Sequence, residues 1–264
     1  MSFCEYPKSN LSVAQLNSEL HHAQLELLSA QCATDQMRFR FSVKDLARYG
    51  QRDLLRKAID AASLLRDYYC AIERELLGRS SGAENGVPEV TEEQIKEATA
   101  ALAGYLSQQR EHYRPSGIPL SRTLMTMMEP FFSPAILEQA RIVKLKGDRI
   151  PAPPIFEEAK ALGFENLPEI THMASVTFGD VVVFHEKVEA RRLFHGLVHV
   201  VQFEVLGPER YAELYVRGFL RAHSNFTVAL EAHAYALDSK FAGWDEGPFS
   251  VDQEVRLWAD EGRY

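Results

Sequence analysis

Residues 194–207 of the chain read FHGLVHVVQFEVLG, with His195 and His199 four positions apart in an otherwise apolar run. In an α-helix, residues i and i+4 lie on the same face one turn apart, so this spacing predicts two imidazoles pointing to one side. Burying two histidines without partners costs free energy, because their ring nitrogens need hydrogen bonds or a ligand. Two imidazoles so placed can bind one zinc ion and leave positions for a third ligand and a water molecule.

A β-hairpin is predicted directly before this helix. The runs MASVTF and VVVFHE are rich in β-branched and aromatic residues, and the Gly-Asp pair at 179–180 between them is a typical two-residue hairpin turn. RIVKL, residues 141–145, is predicted to be another strand. The helix with the two histidines is predicted over residues 188–206, because the Gly-Pro pair at 207–208 ends it.

A carboxylate on a later helix is the candidate third ligand. The segment NFTVALEAHAYALD, residues 225–238, places Glu231 among alanine, valine and leucine. A lone acid in such surroundings needs a counter-charge, which a divalent cation supplies. The small side chains of Ala232 and Ala234 would let this helix approach the first one closely. His233 lies about 200° around the helix from Glu231 and is therefore not expected to bind the same metal.

Together, HGLVHVVQF, the hairpin ASVTFGDVVVFHE before it and LEAHAYA after it resemble the gluzincin type of zinc metallopeptidase, in its small bacterial single-core form. The resemblance covers about residues 142–241. It implies a zincin-like core in which a strand hairpin precedes the zinc-binding helix and a later helix carries a zinc-binding glutamate. By this resemblance the zinc ligands are His195, His199 and Glu231, with Ala234 matching the family's E-x-x-A pattern.

The chain departs from the family at the residue after the first histidine. The family has a glutamate there that takes a proton from zinc-bound water and passes it to the leaving amine, whereas this chain has Gly196. Hydrolytic activity is therefore expected to be altered or lost, because losing a positioned acid–base group typically costs about 10²–10⁴ in rate. Glu186 is a candidate replacement base, and Tyr211 and His223 are candidate oxyanion donors. His172 and His185 are further candidate bases, and Tyr215 and Tyr235 are further candidate oxyanion donors.

Two other functions fit the same residues. Two histidines and one carboxylate with open positions also suit Fe²⁺ and O₂ chemistry, and loss of the glutamate would then make room for a second substrate. The third alternative is a non-catalytic interaction protein with a structural or vestigial metal site. A structural zinc has a closed shell of four protein ligands, whereas this sequence supplies three. A small molecule or a peptide is the expected substrate in the catalytic alternatives.

Composition limits the partners and the compartment. The 264 residues include 29 basic and 37 acidic ones, and no basic stripe is present, so a nucleic-acid partner is not expected. Three widely spaced cysteines without a C-x-x-C pair favour a reducing compartment. The N-terminus, MSFCEYPKSN, lacks the features of a signal peptide, and no apolar run approaches the ~20 residues that span a bilayer. We expect a cytoplasmic protein without a membrane partner.

The remaining pattern indicates an α+β, predominantly helical protein, with helices followed by a small sheet and then helices again. Helical periodicity runs over residues 11–77, and a loop rich in Gly, Ser and Asn covers 78–90. Thr91 and Gln94 predict a capping box at the start of a helix that ends near His112. We expect a helical N-terminal region over residues 1–115 and the zincin-like core over 116–264. Shorter helices are predicted over 121–128, 134–139, 156–162, 209–222 and 227–241.

Overall fold

The computed structural model describes residues 90–264, apart from 165–166, 169, 186, 223–227, 244–247 and 263. These residues belong to one compact unit of the chain, Pro88–Tyr264. The helices predicted over residues 11–77 and the loop up to residue 89 lie outside the described residues.

The described part is α+β and predominantly helical, as the sequence predicts. Two 3₁₀ turns, Arg114–Ser116 and Ile170–His172, accompany the regular elements. Among the described helices, no segment combines the length and hydrophobicity that crossing a membrane requires. The α-helices are α1 (Glu92–Tyr113), α2 (Arg122–Met128), α3 (Pro134–Gln139), α4 (Ile155–Ala161), α5 (Ala190–Ala222), α6 (Ala229–Gly243) and α7 (Val251–Asp260), and the strands are β1 (Ile118–Pro119), β2 (Arg141–Lys144), β3 (Ser175–Phe178) and β4 (Val181–Phe184).

The four strands form one small mixed sheet in the order β1-β2-β4-β3. Strands β2 and β4 are parallel, and the two outer strands pair antiparallel to them. The predicted hairpin is confirmed, with Gly179 in the turn at a φ of +59°, a conformation that glycine adopts without a steric penalty. Asp180, the other turn residue, accepts a hydrogen bond from Nε of Arg110 at 2.6 Å and also pairs with Arg114. The hairpin turn is thereby fixed to α1.

Helix α1 begins where the sequence predicts, with Thr91 as N-cap and Gln94 completing the capping box. The predicted boundary at residue 115 places this helix in the N-terminal region. In the structure it packs on the sheet, where Phe178 of β3 contacts the rings of Tyr105 and Tyr113 at centroid distances of 6.0 and 5.9 Å. Helix α1 is therefore part of the same compact unit as the hairpin.

Helix α5 is the central element of the core. Its first half carries fully buried apolar side chains that pack between the sheet and the other helices, and Phe194 stacks on Phe241 of α6 at 4.2 Å. Gly207, with φ +74° and ψ 163°, breaks the helix into two segments, which confirms the predicted end before Pro208. That backbone conformation is accessible essentially to glycine alone. The buried apolar residues of the first half are Leu193, Phe194, Leu197, Val198, Val200 and Val201.

An ion pair links α5 to α6 at one end of their contact. Nε of Arg191 lies 2.8 Å from both carboxylate oxygens of Asp238, and the two side chains are only 12% and 4% exposed. Arg191 precedes His195 by one helical turn. The pair therefore fixes the position of α6 next to the two histidines.

Two elements were not predicted. Helix α7 has a sequence signal, because Ser250 caps it and Val251, Val255 and Trp258 follow at spacings of four and three on one buried face. Strand β1 has only two residues, one of them Pro119, and so lacks any periodicity from which a strand could be predicted. It exists because it pairs with β2 in the folded sheet.

We predict that Asp238→Asn destabilises the protein by about 3–5 kcal/mol, because the substitution removes the carboxylate charge from an ion pair whose side chains are only 12% and 4% exposed. Chemical denaturation of the full chain measures the free energy of unfolding. Glu254→Gln is the matched control, since Glu254 of α7 pairs with Lys240 of α6 but those side chains are 36% and 40% exposed. It should cost at most about 1 kcal/mol. Equal, small losses in both variants would contradict the prediction.

Candidate metal centre

The three candidate ligands predicted from the sequence meet between α5 and α6. Nε2 of His195 and Nε2 of His199 are 3.0 Å apart. The Glu231 carboxylate lies 3.4 Å from Nε2 of His195 through one oxygen and 3.6 Å from Nε2 of His199 through the other. Among the described residues these three form the group whose side-chain arrangement could hold a metal ion.

The distances between these atoms fit a small tetrahedral ion. Zinc binds imidazole nitrogen at about 2.0–2.1 Å and carboxylate oxygen at about 2.0–2.2 Å, so neighbouring ligand atoms in a tetrahedron are about 3.3–3.5 Å apart. The three observed separations, 3.0, 3.4 and 3.6 Å, lie around this value, with the two separations to Glu231 measured to different oxygens of its carboxylate. When one ligand atom is taken from each residue, the three atoms lie within 4.8 Å of one another, so the Glu231 carboxylate would have to shift for one of its oxygens to share an ion with both imidazoles.

The charge of the Glu231 carboxylate also suits a cation. Burial raises the pKa of the Glu231 carboxyl, but the facing imidazoles of His199 and His195 outweigh this effect and hold the pKa well below its usual range. Burial disfavours the charged form of His199, yet the nearby carboxylate raises the pKa of this imidazole above its usual value. Glu231 is therefore ionised at neutral pH, which is the form that binds metals.

The cluster is largely, but not completely, shielded from solvent. The side chains of His195, His199 and Glu231 are 18%, 7% and 15% exposed. Nδ1 of His195 is buried without a hydrogen-bond partner in the described part of the chain. The ring of Tyr235, which follows Glu231 by one turn of α6, lies 4.6 Å from the His195 ring. The cluster therefore combines a buried side at His199 with a more accessible side at His195.

Two residues contact the far nitrogen of the second histidine. Nδ1 of His199 lies 2.8 Å from Oε1 of Gln202, whose side chain is completely buried. The hydroxyl of Tyr211 lies 3.3 Å from the same nitrogen. Gln202 was not among the predicted site residues. A polar residue in the apolar run VVQF, three positions after His199, could have indicated a partner for this histidine. Metal-binding histidines in proteins commonly have such partners for their second nitrogen.

The kink at Gly207 is what brings Tyr211 to this site. In an unbroken α-helix, residues 199 and 211 would be about 18 Å apart along the axis. The change of direction at Gly207 returns the second segment of α5 toward the first, and Tyr211 stacks on Phe203 with ring centroids 3.8 Å apart. Tyr211 thus reaches the nitrogen of His199 that faces away from Glu231. Its predicted role as an oxyanion donor stays a prediction.

The structure gives a steric reason for glycine at position 196. A Cβ atom there would lie 2.7 Å from Cγ1 of Val182 in β4 and 3.3 Å from Oγ1 of Thr177 in β3. The Thr177 hydroxyl also donates a hydrogen bond to the backbone carbonyl of Gly196 at 3.2 Å. Helix α5 therefore lies so close to the sheet that residue 196 has no room for a side chain unless neighbouring atoms move.

The structure describes some of the remaining predicted site residues and not others. His185 bonds through Nδ1 to the carbonyl of Met173 and accepts at Nε2 from the backbone N–H of Ile150, so both of its ring nitrogens have partners. Burial, reinforced by Glu231, raises the pKa of Tyr215. The predicted base Glu186 and the predicted donor His223 lie outside the described residues, as does the side chain of His172.

Comparisons of the chain with protein-family models, with curated proteins and with solved structures found no match. The resemblance to gluzincins therefore stays a prediction.

We predict that Gly196→Ala destabilises the protein, although alanine is normally better than glycine in a helix by about 1 kcal/mol. Overpacking against Val182 costs about 1–3 kcal/mol and should outweigh that gain. The matched control is Gly104→Ala in α1, where a Cβ would meet no atom within 4 Å and stabilisation is expected. The measurement is the free energy of unfolding.

Val182→Ala tests whether this contact is the cause. Because it removes the methyl group that the new Cβ would meet, Gly196→Ala should cost less in the Val182→Ala background than in the wild type. Additive effects of the two substitutions would show that some other contact accounts for the glycine.

Proposed function

We propose that the chain is a zinc protein that binds one ion between α5 and α6 through His195, His199 and Glu231. The observation that carries the proposal is the convergence of two imidazole nitrogens and an ionised carboxylate at separations of 3.0–3.6 Å. Without an ion, only hydrogen bonds would offset the repulsion between these electron-rich atoms. A divalent cation satisfies all three at once.

A hydrolase-type zinc centre is the function that this ligand set supports best. Three protein ligands leave a coordination position for water or substrate, whereas a structural zinc has four protein ligands. When bound, zinc in such a site polarises a carbonyl group and lowers the pKa of its water toward neutrality. The mixed sheet, the hairpin and the two ligand-bearing helices support a gluzincin-like core, although this likeness rests on sequence pattern and element order.

The proposed activity differs from that of a standard zinc peptidase. Residue 196 has no side chain to accept a proton, and the contact with Val182 leaves no space for one. We infer that any hydrolysis proceeds through the metal and another proton acceptor, at a rate about 10²–10⁴ below that of an enzyme with a positioned base. A small molecule or peptide with an activated carbonyl group is the substrate class that such a centre would serve. The sparse cysteines support a reducing, cytoplasmic location.

We predict about one zinc per chain in full-length protein purified without added metal, because three pre-positioned ligands bind zinc tightly. His195→Ala and Glu231→Ala should each lose the metal. His112→Ala in α1 and Glu204→Ala in α5 are matched controls, because both side chains are exposed, and they should retain it. Elemental analysis gives the metal content, and circular dichroism confirms that each variant is folded.

Three results would change the proposal. Wild-type protein without zinc, or zinc retained in both ligand variants, would contradict it. Iron in place of zinc after anaerobic purification would favour the alternative Fe²⁺ and O₂ chemistry of a two-histidine, one-carboxylate site.

We further predict slow hydrolysis of an activated ester by the zinc-loaded protein, because zinc held by His195, His199 and Glu231 would activate water without a side chain at residue 196. The rate should fall on chelation, return on adding zinc, and be absent in Glu231→Ala. Glu204→Ala, with its exposed side chain on the same helix as the histidines, should hydrolyse the ester like the wild type. Equal rates in the wild type and Glu231→Ala would argue for a non-catalytic site.

A further inference from the structure

We infer that Gln202 is a positioning residue that fixes the proton of His199 on Nδ1 and so keeps Nε2 free for a metal. The inference rests on the proposed zinc site. It starts from a fully buried amide that contacts both helices of that site: Oε1 lies 2.8 Å from Nδ1 of His199, and Nε2 donates to the backbone carbonyl of Leu230 at 3.0 Å.

The orientation of the Gln202 amide follows from its partner on α6. A backbone carbonyl can only accept a hydrogen bond, so the NH₂ group of Gln202 must face the oxygen of Leu230. Reversing the amide would place two acceptor oxygens 3.0 Å apart in a buried site, which is strongly unfavourable. Oε1 of Gln202 must therefore face His199.

The orientation of the amide in turn decides the state of the imidazole. Oε1 only accepts, so the nitrogen that it faces, Nδ1 of His199, must carry a proton. A neutral imidazole has one protonated and one unprotonated nitrogen, so Nε2 then keeps its lone pair. Nε2 is the atom 3.0 Å from His195 and 3.6 Å from Glu231. The carbonyl of Leu230 thus determines, through one side chain, which nitrogen of His199 is available to a cation.

Tyr211 does not impose the same constraint. Its hydroxyl is farther from Nδ1, at 3.3 Å, and a hydroxyl can either donate or accept. It therefore adapts to whichever protonation state the amide sets. This difference makes Tyr211 the natural control, because Tyr211 and Gln202 contact the same ring nitrogen and only one of them dictates where the proton lies.

Gln202 also couples the two ligand-bearing helices. It lies one turn beyond His199 on α5 and bonds to the residue directly before Glu231 on α6. Loss of such an outer partner of a metal-bound histidine typically weakens metal binding by about 10–100-fold. A substitution at position 202 should therefore change both the proton position on His199 and the zinc affinity.

The test uses the full chain and four proteins: the wild type, Gln202→Leu, Gln202→Glu and Tyr211→Phe. Two-dimensional ¹H–¹⁵N NMR of the histidine rings identifies which nitrogen carries the proton, in metal-free protein at a pH where the His199 ring is neutral. Competition with a chromophoric chelator gives the zinc affinity. Thermal unfolding in the presence of EDTA measures the purely structural effect of each substitution.

We expect the proton on Nδ1 in the wild type and in Tyr211→Phe. Gln202→Leu should lose this preference and bind zinc about 10–100-fold more weakly. Gln202→Glu keeps an acceptor toward His199 and should retain the proton on Nδ1, although its second oxygen then faces the Leu230 carbonyl and lowers the stability of the protein. A merely structural role would lower the unfolding temperature of Gln202→Leu and leave the proton where it is.

Two outcomes would overturn the inference: a proton on Nε2 in the wild type, or unchanged zinc affinity and proton position in Gln202→Leu. If Gln202→Leu does not fold, the wild type and Gln202→Glu still decide the matter, because both must carry the proton on Nδ1. If the wild type binds no zinc, the proposed function fails, while the proton position in the metal-free protein still tests the role of Gln202.

Discussion

The antiparallel contact between α5 and α6 is the constraint on which the site depends. One face of α5 carries Arg191, His195, His199 and Gln202 in succession, and their partners on α6 run in the opposite direction, from Asp238 back to Leu230. Apolar contacts are non-directional, so on their own they can tolerate a shift between helices more easily. Buried polar groups cannot, because each shift would leave several of them without partners.

The polar pairs along the interface between α5 and α6 have different functions. The ion pair of Arg191 and Asp238 and the bond of Gln202 to Leu230 are complete in the protein alone. Between them lie the imidazoles and the carboxylate, whose proposed partner is a metal ion. A candidate site flanked on both sides by satisfied interactions does not need an ion to bring its helices together. The two helices are thus held in place before the proposed ion would bind.

The sequence predicted those features that follow from local periodicity. The spacing of His195 and His199, the hairpin turn at 179–180 and the break at Gly207 each have a short-range signal, and each is present in the structure. Glu231 was predicted from a different signal, a lone charge in an apolar helix that needs a counter-charge. The sequence could therefore predict that His195, His199 and Glu231 come together. Each is a polar residue in an apolar helix and needs a polar partner when it is buried.

The features that the sequence did not predict depend on contacts between distant segments. The glycine at 196 looked like the loss of a catalytic group, and only the position of Val182 on β4 shows that packing demands it. The role of Gln202 depends on a backbone carbonyl 28 residues away. The position of Tyr211 depends on the direction that the chain takes after Gly207. None of these contacts leaves a periodic signal.

The close contact at Gly196 also limits how this protein can change over generations. A lineage that acquired glutamate at this position would first have to shrink Val182 or move the helix off the sheet, and either change alone weakens the core. The substitutions would have to occur in a particular order, with the smaller residue on the strand first. Any path to a larger side chain at position 196 therefore passes through a protein with a more loosely packed core.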